Sequence, residues 1–206
     1  MEKTNHSIAA YVLAGGQSTR MGRDKALLEF ASGTSMLEHT LALAATVAPR
    51  VTLVAPKDRY RQLPWAGEII EDEMQGRGPL AGIAAALNHS RAELNLVIAV
   101  DMPLVRKCVL EFLLKRAAMI SAPAVVPFID GTRQPLCAVY RKSFLPFAEQ
   151  VLAEGQNKIG VALDRAEAAI LSESELLAAG FTAEQFRNVN TPEEYERLRA
   201  GTLEQR

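Results

Sequence analysis

Residues 11–30 read YVLAGGQSTRMGRDKALLEF. The small and apolar run from Ile8 to Ala14 has the composition of a short buried strand, and it stops at Gly15 and Gly16. A polar stretch carrying Arg20, Arg23 and Lys25 follows, and then an apolar pattern resumes. Adjacent glycines let backbone amides approach a ligand with no Cβ in the way, and successive amides make a concave anion site. Open α/β sheets hold ligands at the carboxyl ends of their strands, so phosphate is the first candidate for this loop. The plain alternative is a solvated basic loop capping a strand. Neither common phosphate fingerprint fits. GxGxxG fails because Gly15 and Gly16 are adjacent and the next glycine is Gly22. GxxxxGK[ST] fails because five residues separate Gly16 from Gly22 and Arg23 follows.

Outward from this loop, strand and helix patterns alternate. Leu37, Thr40, Leu41, Ala44 and Ala48 share a helical face, with Ser35 as N-cap and Pro49 as the stop. Val51 to Ala55 is a β-branched strand, and GEIIED holds a third, short one. Pro79 stands at the first helical position after Gly78, and Leu80, Ile83, Ala84 and Leu87 continue that helix. Leu94 to Val100 is a strongly apolar strand ending at Asp101-Met102-Pro103. Val105, Cys108, Val109, Phe112 and Leu113 mark a further helix, and APAVVPF a further strand. This order predicts an α/β fold: a mostly parallel sheet between two helix layers. After residue 127 the turn IDGTRQ leads into PLCAVY, which predicts an antiparallel strand and hence a mixed sheet. Helices are expected near Ser143 to Ala153 and Lys158 to Asp164, and a last short strand at AAIL. Thr191, Pro192 and Glu194 begin a C-terminal helix with a capping box, and Gly201 is its expected stop.

The 206 residues suit one domain, expected to span 1–206. Hydrophobic residues make up 49%, and 23 basic residues nearly balance 24 acidic ones. That balance gives no electrostatic basis for a nucleic-acid or membrane-surface partner. No apolar run is long enough to span a bilayer, and the first residues do not form a signal peptide, so a cytoplasmic location is expected. Cys108 and Cys137 sit in apolar contexts and are expected to be buried free thiols. His6, His39 and His89 lack metal-ligand spacing and are expected to be structural or on the surface.

Asp101 directly follows an apolar strand and is expected to face the same crevice as Gly15 and Gly16. Its hard oxygens suit Mg²⁺, which takes one or two carboxylates together with phosphate oxygens. The competing reading is a turn or cap aspartate before Pro103. Lys25 either meets phosphate or is a solvated lysine at a helix start. No Ser-His-Asp or Cys-His arrangement points to a covalent nucleophile.

The whole string LAGGQSTRMGRDKALLEF fits the pattern LAGG-x-S-x-RMG-x-DK-A and resembles the molybdenum cofactor guanylyltransferase family. GPLAG (78–82), DMP (101–103), QPL (134–136) and NVNTPEE (188–194) resemble that family's later motifs in the same order. The resemblance runs from about Ala9 to about Leu198. It implies a three-layer α/β/α, Rossmann-like nucleotidyltransferase fold and transfer of GMP from GTP to the terminal phosphate of molybdopterin. It further implies Mg²⁺ held by Asp101, with Lys25 and Arg20 offsetting developing charge. The backbone from Leu13 through Ala14, Gly15 and Gly16 would cradle base and phosphates. Asp72, or else Glu71 or Glu73, would accept hydrogen bonds from guanine N1–H and the 2-amino group, with Gly78 close to the base or ribose. Gln134, Pro135, Asn188 and Asn190 would meet the second substrate, and Asn190 by analogy with sugar nucleotidyltransferases could face the metal. Turn and helix-entry hydrogen bonding is the alternative for the two asparagines. Arg133 and Lys158 could hold an incoming phosphate, though no motif marks them. Transient contact with molybdoenzymes or their chaperones is implied as well. One departure bears on the base: some guanylyltransferases carry Asn near the position of Ala55. A CTP-dependent cytidylyltransferase of the same pterin or of a sugar or polyol phosphate is therefore the nearer alternative. A non-catalytic carrier of pterin or nucleotide is the more distant one.

Overall fold

The structure, a computed structural model, describes residues 7–15, 24–31, 33–56, 58–60, 63, 65–71 and 78–204, without the side chains of 31 and 199–204. In chain order the strands are β1 (Ile8–Leu13), β2 (Glu29–Ala31), β3 (Thr34–Ser35), β4 (Val51–Val54), β5 (Glu68–Ile70), β6 (Leu94–Ala99), β7 (Ala124–Ile129), β8 (Thr132–Arg133), β9 (Cys137–Tyr140) and β10 (Ala169–Leu171). The helices are α1 (Met36–Ala45), α2 (Pro79–His89), α3 (Lys107–Met119), α4 (Leu145–Ala153), α5 (Ile159–Arg165), α6 (Glu173–Ala178) and α7 (Pro192–Glu204).

The main sheet has the order β10-β7-β9-β6-β1-β4-β5, with β8 paired to β7. β1 is parallel to β4 and β6, β4 to β5, and β7 to β10. β9 runs antiparallel to both β6 and β7. The reversal starts at Asp130 and Gly131, whose φ values of 52° and 66° give the two left-handed positions of a tight hairpin turn between β7 and β8. The chain then crosses back and inserts β9 between β7 and β6, which makes the sheet mixed, as its sequence predicts.

β1 shows how one sequence serves two helix layers. Ala10, Val12 and Ala14 face the core beneath α1, α3, α6 and α7. Ala9, Tyr11 and Leu13 face the opposite core beneath α2, α4 and α5. With both faces covered, a strand needs a continuous apolar run rather than an alternating one. β6 is likewise buried along its whole length, including Asn95. The Asn95 amide nitrogen donates to the Tyr140 carbonyl at 3.1 Å, and its oxygen accepts from the Ser90 hydroxyl, so the buried amide is satisfied.

Three expectations need correction. Cys108 is exposed. The buried stripe of α3 is Val109, Leu110, Leu113, Leu114 and Ala117, and this phase turns position 108 toward solvent. α7 continues past Gly201 to Glu204, because glycine permits a left-handed stop without requiring one. α1 ends at Ala45, ahead of Pro49, with the Thr46, Val47 and Ala48 amides closing its last turn. The short antiparallel pair β2–β3 and helix α6 are additional to the elements expected from sequence.

Parallel pairing brings the carboxyl ends of β1, β4, β5 and β6 to one rim. There the Ala14 amide donates to the Val54 carbonyl, Val100 to Leu13, and Ala55 to Ile70. β9 enters at the same rim, where Ala99 donates to the Leu136 carbonyl at 2.8 Å. α7 starts close by: Glu194 Oε2 accepts the Asn190 amide at 2.7 Å and the Thr191 amide at 3.0 Å.

Two outcomes follow for stability. Ile98→Ala, in the fully buried β6, is expected to cost about 2–5 kcal/mol, read from denaturant unfolding. The Asn190 amide holds the Glu194 carboxyl below its ordinary value of 4.5. Its contribution is therefore present above 4.5 and lost as pH falls through the lowered folded value. Tm measured against pH should separate the wild type from Glu194→Gln at neutral pH, and the gap should close in acid.

Candidate active site

Lys25 begins a single 3₁₀ turn, Lys25–Leu27, that follows the glycine-rich segment. Asp24 caps this turn by accepting the Ala26 amide at 3.1 Å. The Lys25 side chain then reaches across the end of β1 to the turn that follows β6. Its ammonium donates to Asp101 Oδ2 at 2.8 Å and to Asn190 Oδ1 at 3.1 Å. Both members of the ion pair are largely enclosed, with 19% and 16% of their side-chain surface exposed. Three groups far apart in the chain thus meet at the carboxyl rim.

Asp101 is not a cap. Its carboxylate faces Lys25, while Arg106 occupies the N-cap of α3 without a side-chain cap bond. The Asp101 backbone carbonyl accepts the Val189 amide at 2.8 Å, which docks the Asn188–Asn190 segment onto the end of β6. Asp101 Oδ1 is buried and has no hydrogen-bond partner among the described residues, and the same holds for Asn188 Oδ1. Buried oxygens of this kind are normally satisfied. Here two of them stand on residues that the Val189–Asp101 bond brings side by side. This donor set fits a hard divalent ion such as Mg²⁺, which prefers oxygen ligands and completes its shell with phosphate and water.

Gly15 and Gly78, the two candidate site glycines that lie within the described residues, serve different needs. Gly78, at the start of α2, has φ +74°, a conformation other residues adopt only with strain. A Cβ there would lie 3.7 Å from Asn157 Nδ2, so the α4–α5 connection overlooks the start of α2. Gly15 has no left-handed φ, and nothing lies within 4 Å of its Cβ position among the described residues. Packing among the described residues therefore does not call for a glycine at 15, and the position is open enough for a ligand to approach its backbone. Leu13 and Ala14 lie at the end of β1 in contact with the same rim.

Gln134 and Pro135 sit on the bridge from β8 to β9. The Gln134 amide donates to Pro127 at 2.8 Å, and the Pro135 carbonyl accepts from the Tyr140 hydroxyl at 2.8 Å. Because Leu136 bonds Ala99, this bridge lies beside the exit of β6 toward Asp101. Arg133 pairs with Asp164 at 2.6 Å, and Lys158 is exposed at the start of α5. Ala55, where some guanylyltransferases carry Asn, is buried. Gly16, Arg20, Asp72 and the alternative Glu73 lie outside the described residues. Glu71, the other alternative for contact with the base, follows β5 directly at the rim.

Sequence reasoning missed the residues that hold this site in place. Tyr60 and Arg59 contact Asp24. The Tyr195 hydroxyl donates to the Glu29 carbonyl at 2.6 Å and ties α7 to β2. A lone aromatic in a loop carries no signal for such a role. Glu194 was detectable as half of a capping box, but its hold on the Asn190 amide was not.

The geometry joins the Lys25 cation and the Asp101 carboxylate at the carboxyl rim of a mixed sheet, and comparison with known proteins finds relatives of matching kind. A family model described as a MobA-like NTP transferase domain matches residues 10–169. A protein of Carboxydothermus hydrogenoformans named probable molybdenum cofactor guanylyltransferase is 34% identical over 193 residues, covering 93% of this chain and 95% of that protein. A Mycobacterium tuberculosis protein of the same name is 36% identical over 166 residues, covering 78% of this chain and 81% of that protein. The crystal structure of molybdopterin-guanine dinucleotide biosynthesis protein A from Archaeoglobus fulgidus aligns with a TM-score of 0.84 at 29% identity, covering 95% of this chain and 99% of that one. The chain belongs to the MobA-like NTP transferase family, a family of nucleotidyltransferases.

Proposed function

We propose that this protein transfers GMP from GTP to the terminal phosphate of molybdenum-loaded molybdopterin. The products are the guanine dinucleotide cofactor and pyrophosphate. The observation that carries this reading is the convergence of Lys25, Asp101 and Asn190 beside the exit of β1, with Asp101 Oδ1 buried and unbonded. The nucleotidyltransferase family supports the reaction class, and the names of its guanylyltransferase relatives support the substrates. The chain is taken to act as one domain over 1–206, in the cytoplasm, with transient contact to molybdoenzymes or their chaperones when product is handed on.

In the reaction an oxygen of the pterin phosphate bonds to the α-phosphorus of GTP. The bond from that phosphorus to the α,β-bridging oxygen breaks, and pyrophosphate leaves with the electron pair. Little covalent chemistry falls to the protein, so positioning and charge stabilisation dominate. Lys25 places a positive charge where negative charge grows on the phosphoryl oxygens. Asp101 and Asn190 hold that ammonium in place, which would limit its reorganisation when phosphate arrives. Arg20 is proposed to assist it.

The backbone of Leu13, Ala14, Gly15 and Gly16 would cradle base and phosphates, and Asp72 would accept from guanine. Gly78 leaves room at the α2 start. Gln134, Pro135, Asn188 and Asn190 would contact the pterin side. Asp101 would hold Mg²⁺, with Asn188 and Asn190 as neighbouring oxygen donors. When bound, that ion offsets charge on the triphosphate oxygens.

Pyrophosphate release with molybdopterin as acceptor should be fast with GTP and slow with CTP, UTP or ATP. A preference for CTP would move the base assignment to the cytidylyl reading and point to the buried Ala55. Lys25→Ala should lower turnover by about 10²–10³-fold. Asp101→Ala, and chelation of divalent ions from the wild type, should each reduce turnover to background. Full activity of Asp101→Ala would remove the metal role.

A further inference from the structure

Tyr60 lies in the connection after β4, with 2% of its surface exposed. Its hydroxyl is 2.9 Å from Asp24 Oδ2 and 3.3 Å from the Ala14 carbonyl oxygen. Arg59 Nε meets the same Asp24 oxygen at 2.8 Å. The other carboxylate oxygen, Oδ1, accepts the Ala26 amide. Both oxygens of Asp24 are therefore engaged, one by the turn that carries Lys25 and one by the segment after β4.

Ala14 is where the chain leaves β1, and Asp24 is where the Lys25 turn begins. One buried hydroxyl thus touches both ends of the glycine-rich segment. The phenol has a single proton, and the shorter contact with a charged acceptor takes the larger share of it. Burial and the Asp24 charge push the phenol's pKa upward, so it remains a donor over the working pH range. The ring itself packs in the apolar core beneath α1 and α3, where phenylalanine would serve equally for packing.

We propose that Tyr60 is a positioning residue, whose hydroxyl clamps Asp24 against the end of β1 and so aims Lys25 at Asp101 and the transferred phosphate. Tyr60 touches neither substrate nor metal in this scheme and acts through Asp24 alone. The kinetic consequence rests on the nucleotidyl-transfer reading, whereas the mechanical coupling does not.

Tyr60→Phe keeps the ring and removes the clamp. Turnover should fall about ten- to a hundredfold, the range expected for a misplaced catalytic group, with the KM for GTP changed less than about threefold. In a Lys25→Ala background the same substitution should change turnover less than about twofold, because the group it aims is gone. An undiminished loss in that background would overturn the proposal, since a purely structural tyrosine acts additively.

Hydrogen exchange supplies an arm that needs no activity. Exchange of the Ala26 and Leu27 amides should speed up at least about tenfold in Tyr60→Phe at unchanged Tm. Unchanged exchange would overturn the clamp whatever the kinetics. A wild type that releases no pyrophosphate from GTP would overturn the function proposed above and leave the exchange result to decide on Tyr60. If Tyr60→Phe lowers Tm, Asp24→Asn repeats each arm, because it keeps an acceptor for the Ala26 amide and gives up the charge that Tyr60 and Arg59 grip.

Discussion

The Lys25 ammonium lies between Asp101 Oδ2 and Asn190 Oδ1, groups that stand 76 and 165 residues from it along the chain. Each arrives by a different route. Asp101 is delivered by the register of β6 on β1, which places the Val100 amide on the Leu13 carbonyl. Asn190 is delivered by the Val189 amide on the Asp101 carbonyl and by Glu194, which grips the Asn190 amide from within the first turn of α7. Lys25 is delivered by the capped turn that leaves the glycine segment. The ion pair is enclosed enough that removing either partner leaves an uncompensated charge, so the three routes depend on one another.

The strands that build the rim were legible because burial on both faces erases alternation. β1 is a continuous apolar run and β6 is one broken only by Asn95; β1 ends at Leu13, two residues before Gly15, and β6 at Ala99, two residues before Asp101. The α1 start was legible from Ser35, which the structure gives a full capping box with Glu38. β2 and β3 were not, since strands of three and two residues hold too few positions for any period to show. Cys108 was misplaced for a related reason. Between 105 and 113 two neighbouring helical phases contain nearly the same apolar residues, and only packing against β6 and β9 chooses between them. The Ser172–Glu175 capping box of α6 had the same form as the box read at Thr191, so its signal was present in the sequence.

The site was legible in its parts and not in its assembly. Lys25 and Asp101 each stand in a motif, yet nothing in either motif says that the two side chains touch. Their contact depends on parallel pairing of β1 with β6, a long-range fact that the local pattern implies only through fold class. The supporting contacts were less legible still. Tyr60, Arg59 and Tyr195 act through backbone carbonyls and a cap carboxylate, and such partners have no sequence spacing to detect.

Two buried oxygens, on Asp101 and Asn188, have no partner among the described residues, and leaving them so is costly. Each carries a penalty of about 1–3 kcal/mol relative to a bonded oxygen. Asn95 shows that the same sheet can satisfy a buried amide fully, with Ser90 and the Tyr140 carbonyl as partners. The difference is one of position. Asn95 lies inside β6, where neighbouring strands supply donors and acceptors, whereas Asp101 and Asn188 lie beyond the strand ends, where the ladder stops. An arriving cation or phosphate-bound water can relieve the penalty there and cannot do so inside the sheet. On the proposed reading, the stability forgone at the rim would return as binding energy for a ligand held beside the Lys25 ammonium.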